Sequence, residues 1–423
     1  MKNDVAFSHL GGFLPLWGNL RGLLLFFLIA SVLVSCSKDE KDAVDESVSQ
    51  TVVAYMAAEN SLSIYATYDL NGELCDADEM LRTVDAMSDN DRLVLFIDDV
   101  ELPRIYVLTN KTKERSIAKL KASYQFAEDV NSCSPKILKQ VLDWTMTNCP
   151  AEEYGLVMWS HGSGWIPPRI PKRAFGVDNG HNVGSGALVN VGDEMDIGEM
   201  AKALAGFPKF DFILFDACFM QTVEVCYELK DRANYIIGSP AEIPLLGAPY
   251  TTMMYQMFTE KGANPKGMIQ CYYNKYANEG CALSVVDCSK LDALADATRG
   301  MVKQYEDSLE RMDFASVLNY FDYDSCRRLS DMPDYYDMLS LMKHLLKEVD
   351  YVKWKAVYDE AVRERLSTRT VYTAYKSEPI HINANEYGGM SMCVPQEKYE
   401  GASFYEGYWR MKWNSFINEK NNN

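Results

Sequence analysis

The stretch Tyr154-Gly-Leu-Val-Met-Trp-Ser160, followed by His161-Gly162, decides how this chain is read. Its counterpart is Phe210-Asp-Phe-Ile-Leu-Phe215, followed by Asp216-Ala217-Cys218. Each apolar run has the length of a strand buried on both faces, and each stops abruptly in small or polar residues. In an open parallel sheet, ligands collect beyond the carboxyl ends of the strands. Placed as neighbours, the two runs deliver His161 and Cys218 side by side at that edge. That is a cysteine nucleophile with an acid/base partner.

Working outward, Thr51-Val-Val-Ala-Tyr-Met-Ala57 reads as a first buried strand and Arg92-Leu-Val-Leu-Phe-Ile97 as a second. Between them, Ala77, Met80, Leu81 and Val84 sit at helical spacing, predicting a helix over Asp76 to Met87. Ile105-Tyr-Val-Leu108 suggests a hairpin partner. Ser134-Pro135 opens a helix through Ile137, Leu138, Val141 and Leu142. Asp196 to Leu204 and Met220 to Leu229 read as helices on either side of the Cys218 strand, and Tyr235-Ile-Ile237 as a further strand. This alternation predicts an α/β fold with a mainly parallel central sheet. A Pro- and Gly-rich connection runs from Gly162 to about Asp193, and loops of that length are commonly functional. Beyond residue 260 the pattern turns mixed α+β, with strands expected at Ala282 to Val286 and Gly389 to Val394 and a helix around Asp334 to Leu346.

The 423 residues carry a formal charge of −18 (42 Lys+Arg against 60 Asp+Glu), which argues against a nucleic-acid partner. Leu23 to Val34 is an apolar stretch too short to span a bilayer, preceded by Lys2 and Arg21, and it suits a signal-peptide core. It ends in Leu33-Val34-Ser35-Cys36, which resembles a bacterial lipobox with Cys36 as the acylated first mature residue. Ser37-Lys38-Asp39-Glu40 resembles the export tag of surface lipoproteins in some Gram-negative bacteria. Residues 1–35 are therefore expected to be a lipoprotein signal peptide and 36–50 a flexible tether. The mature protein would be a palmitate-bearing lipoprotein of the cell envelope, on the outer membrane and surface-exposed. The other ten cysteines form no dense disulfide framework and no C-x-x-C pair, so most read as small buried hydrophobes.

The strand ending in His161-Gly162 and the strand ending in Asp216-Ala217-Cys218 together resemble the clostripain family of cysteine peptidases. Tyr55-Met-Ala-Ala-Glu-Asn60, Trp159-Ser-His-Gly-Ser-Gly-Trp165 and Phe215-Asp-Ala-Cys-Phe-Met-Gln-Thr-Val-Glu224 extend the resemblance. Tyr387-Gly-Gly-Met-Ser-Met-Cys-Val-Pro395 looks like the family's closing strand. The resemblance implies a caspase-like three-layer sandwich, with residues 51–260 as the catalytic core and 261–423 completing it. It implies a cysteine endopeptidase acting on peptides or proteins, with Cys218 as nucleophile and His161 as general acid/base. The Gly162 N–H would serve the oxyanion, with that of Cys218 as a second donor. This chemistry requires no metal or organic cofactor. Some members of the family respond to calcium, a point on which this sequence is silent. His181, His344 and His381 read as structural or exposed, with His181 the second choice for catalysis.

Members of the family that cut after Arg or Lys use acidic residues in the pocket. Asp216 matches one of these. Where a second acid is expected, Glu242-Ile-Pro-Leu-Leu-Gly-Ala-Pro-Tyr250 places Leu246, and Glu242 is the alternative acid of that loop. Losing one charge-assisted contact to Arg costs roughly 1.5–3 kcal/mol, on the order of 10–100-fold in selectivity. Basic and apolar preferences both stay open. Arg169, Lys172 and Arg173, in the loop after His161, are where the resemblance implies self-cleavage. A catalytically weak surface protein that binds peptides in the same cleft is the alternative reading. A serine enzyme using Ser163 is disfavoured, because Gly162-Ser-Gly164 does not fit a nucleophile elbow.

Overall fold

The computed structural model describes residues 49–69, 74–166, 174–180, 190, 192–326 and 331–418. In chain order the strands are β1 (Gln50–Ala57), β2 (Arg92–Asp98), β3 (Arg104–Leu108), β4 (Tyr124–Gln125) and β5 (Glu153–Trp159). They continue with β6 (Phe175–Asp178), β7 (Asp193–Met195), β8 (Phe210–Asp216), β9 (Ala233–Gly238) and β10 (Ala282–Asp287). Last come β11 (Tyr336–Asp337), β12 (Val362–Ser367), β13 (Thr370–Val371), β14 (Ile380–His381) and β15 (Ser391–Met392). Nine of them form one sheet in the order β12-β10-β9-β8-β5-β1-β2-β3-β4. The inner five, from β9 to β2, are parallel. The flanking strands run antiparallel.

Residues of β1 alternate between two cores, because successive strand side chains point to opposite faces. Val53, Tyr55 and Ala57 join Phe96, Leu138, Val141, Met200 and Leu294 on one face. Val52, Ala54 and Met56 join Met80, Met253 and Met268 on the other. Helices Pro135–Asn148, Ile197–Leu204, Val223–Leu229 and Leu291–Gln304 therefore cover the first face. Asp76–Arg82, Tyr250–Met257 and Pro265–Tyr276 cover the second. This is the three-layer α/β arrangement expected, and each fully buried Leu, Val or Met side chain contributes roughly 1.5–3 kcal/mol to it.

Several elements differ from the sequence expectation. The helix expected from Met220 starts only at Val223, capped by the Thr222 hydroxyl, and the one expected from about Asp334 starts at Met338, after the short strand β11. The helix begun at Asp76 ends at Arg82 and continues only as a single turn, Val84–Ala86. The segment Gly389 to Val394 is strand only at Ser391–Met392 and pairs with Tyr336–Asp337 outside the main sheet. Its neighbours Gly388 and Gly389 instead donate N–H groups to the buried Asp337 carboxylate, which diverts the backbone from ladder pairing.

The chain places β2 on one side of β1 and returns to place β5 on the other. That is a topological switch point, where a crevice opens past the strand ends. The end of β1 leads into Glu59-Asn60-Ser61, and the end of β5 into His161.

Candidate active site

Trp159 of β5 lies opposite Asp216 of β8 in parallel register. Both chains leave the sheet together, with the Ser160 N–H donating to the Asp216 carbonyl at 3.4 Å. His161 and Cys218 each follow two residues beyond the paired position, so they share the sheet edge. Each is held by a different neighbour. His161 Nε2 lies 2.9 Å from the Ser61 hydroxyl. Cys218 Sγ accepts the Ile243 N–H at 3.4 Å.

Gly162 is fitted closely against this corner. A Cβ there would sit 2.6 Å from the Cys218 carbonyl oxygen and 3.0 Å from Met220 sulfur. The glycine is thus required by the approach of the Cys218 peptide itself. Gly162 also faces Phe175 of β6, with the Gly176 N–H donating to the His161 carbonyl and the Ser163 N–H to the Ala174 carbonyl, each at 2.9 Å. Those two bonds flank the pair, so Gly162 occupies a non-hydrogen-bonded position and its own N–H turns away from β6. An outward N–H beside Cys218 is the geometry an oxyanion donor needs.

Phe219, directly after Cys218, has φ of 60°. A buried phenylalanine in the left-handed region costs on the order of 1–3 kcal/mol. It is held there by its N–H bond to the Ala241 carbonyl at 2.9 Å and by rings of Phe321 and Tyr335. The sharp turn leaves the Cys218 thiol half-buried while its neighbours Ala217 and Phe219 are buried.

The site is electrostatically negative. Burial lowers the His161 imidazole to about 4, so the ring is neutral at pH 7. Burial also pushes the Cys218 thiol up to about 12, reinforced by the carboxylates of Glu242 and Asp216. Cysteine and histidine therefore rest as a neutral thiol and a neutral base. Asp216 is itself raised to about 6 by burial, against the opposing Ala248 N–H at 3.0 Å and the Tyr250 hydroxyl at 2.8 Å. Both bonds fall on Oδ2, and Oδ1 is buried without a donor.

Of the residues singled out for specificity, Asp216 lies beneath the loop that follows β9, with Gly247 against its carboxylate. Glu242 is half-buried, accepts the Ala374 N–H at 2.9 Å and faces Cys218 electrostatically. Leu246 is half-buried in the same loop. His344 and His381 are exposed, on helix Met338–Leu345 and on β14. The ten described cysteines are all free, and eight of them are buried. Cys36, Arg169, Lys172, Arg173 and His181 lie outside the described residues, and no helix among those described is long and apolar enough to cross a membrane.

Several supporting groups were not visible beforehand. Ser61 follows the Tyr55 to Asn60 stretch by one residue, so only that adjacency hinted at it. Asn60 Nδ2 binds the Ala57 carbonyl at 2.9 Å, the Val177 carbonyl at 2.8 Å and Ser160 Oγ at 3.3 Å, stitching together three chain segments at the switch point. The last third also underpins the site. Tyr335 donates to the Ser163 carbonyl, the Ser391 N–H binds the Gln221 carbonyl at 3.0 Å, and the Cys393 N–H binds Glu224 at 2.9 Å.

Comparison with known proteins converges on one family. The family model described as Clostripain family (peptidase C11) matches residues 54–421. Clostripain of Hathewaya histolytica is 26% identical over 203 residues, covering 43% of this chain and 36% of clostripain. The X-ray structure of an inactive zymogen C11 protease from Parabacteroides distasonis is 29% identical with a TM-score of 0.71, covering 88% of this chain and 98% of that one. A secreted C11 cysteine protease from Bacteroides thetaiotaomicron, solved with an irreversible peptide inhibitor, is 28% identical with a TM-score of 0.70, covering 88% and 99%.

Proposed function

Because the chain belongs to the clostripain family of cysteine peptidases, we propose that it is an endopeptidase in which Cys218 attacks the scissile carbonyl and His161 moves the proton. The observation that carries this reading is the placement of both residues two positions beyond the Trp159–Asp216 pair on adjacent parallel strands. In the resting neutral state His161 acts first as base, taking the thiol proton as sulfur bonds to carbon. The oxyanion then develops against the outward Gly162 N–H. His161 returns the proton to the leaving amine, and water hydrolyses the thioester.

We read the residue before the cut as basic. The two charged groups that bear on Cys218, Glu242 and Asp216, are both anionic, and Asp216 Oδ1 awaits a donor. A guanidinium or ammonium between them would satisfy that oxygen and ease formation of the thiolate. The test is a peptide library varied at that residue, turned over by the mature protein with Cys218→Ala alongside. Cleavage after Arg or Lys, lost in the variant, is the expected outcome. Cleavage after apolar residues would keep the mechanism and assign the pocket to Leu246. No cleavage and no labelling of Cys218 by a thiol-reactive peptide would sink the peptidase reading.

The amino-terminal pattern supports a lipid anchor at Cys36 on the outer membrane, and the basic residues Arg169, Lys172 and Arg173 support self-cleavage beyond His161. Intact-mass measurement of the protein isolated from envelopes tests both. It should show acyl chains at Cys36 and, only with Cys218 present, two fragments.

A further inference from the structure

We propose that Tyr372 and Leu245 form an apolar subsite on the Cys218 side of the cleft. It takes a large aliphatic or aromatic side chain from the two substrate residues that precede the one before the cut. The assignment deepens the peptidase reading and rests on it. Tyr372 opens the segment 372–376, which leaves β13 and reaches the Cys218 corner. Every other residue of that segment is tied to a neighbour. The Ala374 N–H donates to the Glu242 carboxylate at 2.9 Å, and the Thr373 side chain bonds the same carboxylate. Glu242 precedes Ile243, whose N–H lies 3.4 Å from Cys218 Sγ. The Tyr375 ring packs 6.3 Å from Phe219, the residue directly after Cys218, and edge-on to Phe321 at 4.9 Å. Lys376 pairs with Asp322 at 3.1 Å.

Tyr372 stands out of this strap. Val371 is 1% exposed, Tyr372 66% and Thr373 4%, the alternation of an extended chain. Val371 is fixed by pairing with Ile380 of β14, and Thr373 by Glu242. The ring cannot turn inward without breaking one of those ties. A tyrosine on a fixed backbone loses little entropy when a ligand covers it, and it offers apolar area with a polar tip. On the other segment held by Glu242, Leu245 is 61% exposed, two residues beyond Ile243. Single exposed apolar side chains are ordinary. These two differ because one carboxylate joins the segments that carry them, next to the nucleophile.

The occupant follows from the chain that Cys218 would cut. Its basic residue reaches Asp216 beneath the loop 242–250, so the substrate backbone ahead of it runs over the outer side of that loop, where Leu245 is exposed. An extended chain advances about 3.3 Å per residue, so the two preceding residues cover roughly 7 Å and point their side chains to opposite sides. One of them meets the surfaces of Leu245 and Tyr372. The strap's only cation, Lys376, is engaged by Asp322, so an acidic side chain finds no partner there. What the two residues present is hydrocarbon and aromatic ring, and an apolar side chain removes that area from water.

The test is a peptide series that keeps the library's preferred residue before the cut and places leucine, phenylalanine, serine or aspartate at each of the two preceding positions. At one of these positions, the mature protein should turn over the leucine and phenylalanine peptides about tenfold better in kcat/KM than the serine peptide, the low end for filling an apolar site. Tyr372→Ala should abolish that preference through KM, while Tyr372→Phe keeps it. Leu245→Ser should weaken it, and decides the matter if Tyr372→Ala does not fold. Equal turnover of leucine and serine peptides by wild type, a preference for aspartate, or an unchanged preference in folded Tyr372→Ala would overturn the subsite. Calorimetric binding of the same peptides to Cys218→Ala separates this proposal from the peptidase reading. Tighter binding of the leucine peptide, lost when Tyr372→Ala is added, would leave the subsite standing even if wild type cleaved nothing, a result that counts against the peptidase reading alone.

Discussion

Ser61 is the residue that most directly governs what His161 can do. Its hydroxyl is the one hydrogen-bond partner seen for the ring among the described residues, at 2.9 Å from Nε2. It fixes the ring plane of a base that burial already keeps neutral. Ser61→Ala removes one hydrogen bond, about 0.5–1.5 kcal/mol of orientation. If that loss falls on the transition state, kcat drops about 2- to 10-fold while KM stays put. Ser61→Thr keeps the hydroxyl and should restore most of the rate. A rise in KM with unchanged kcat, or no rescue by threonine, would show that Ser61 does not position the base.

Among the elements, the turn after β8 and the strand exit after β5 are built against each other. Gly162 approaches the Cys218 carbonyl too closely for any side chain, and Phe219 turns back in the left-handed region. The clash partner is backbone, which cannot swing away as a side-chain tip could. Gly162→Ala is therefore expected to cost roughly 1–3 kcal/mol of stability, the range of overpacked sites. Its larger consequence is at the site, because the methyl can be housed only by moving the Cys218 peptide away from the strand exit. Thiol-probe labelling at Cys218 should slow by far more than the fall in melting temperature alone predicts. Labelling at the wild-type rate in a stable variant would show that the corner has slack.

Across the whole molecule, the acids that titrate most unusually are buried ones. Glu224 is raised from 4.5 to about 7, mainly by burial, with the Cys393 N–H on one oxygen and no donor on the other. Asp337 is raised to about 6, again by burial. Such groups bind protons more tightly folded than unfolded, so their contribution to stability is full below about pH 4.5 and fades as pH rises through 6 to 7. Fold stability should thus decline from mildly acidic to mildly alkaline pH. Glu224→Gln keeps the shape and removes the charge. Its advantage over wild type should open between pH 5 and 8 and reach about 3 kcal/mol, the value of raising the carboxyl from 4.5 to about 7. Urea unfolding of both proteins at pH 5 and pH 8 checks this. Parallel pH trends in the two proteins would remove Glu224 as the source.

The chain alone determined the central strands and the two residues at their ends. Runs such as Leu156 to Trp159 and Phe212 to Phe215 are apolar on both faces, and that pattern suits an inner parallel strand flanked by helices. Asp76–Arg82 was legible as a helix by its spacing, but its end was not, because Thr83 and the turn at Val84–Ala86 depend on packing against the Tyr250–Met257 helix. Ser391–Met392 read as a longer strand because apolar text cannot tell ladder pairing from the hydrogen bonds that Asp337 draws from Gly388 and Gly389. Tertiary structure alone decided which distant groups meet. Ser61 with His161, Tyr335 with Ser163, and Glu59 with Asp98 and Asp178 are each separated by tens of residues, and no local periodicity records such meetings. They follow from strand order, because β1 stands between β2 and β5 and brings three chain segments to one crevice.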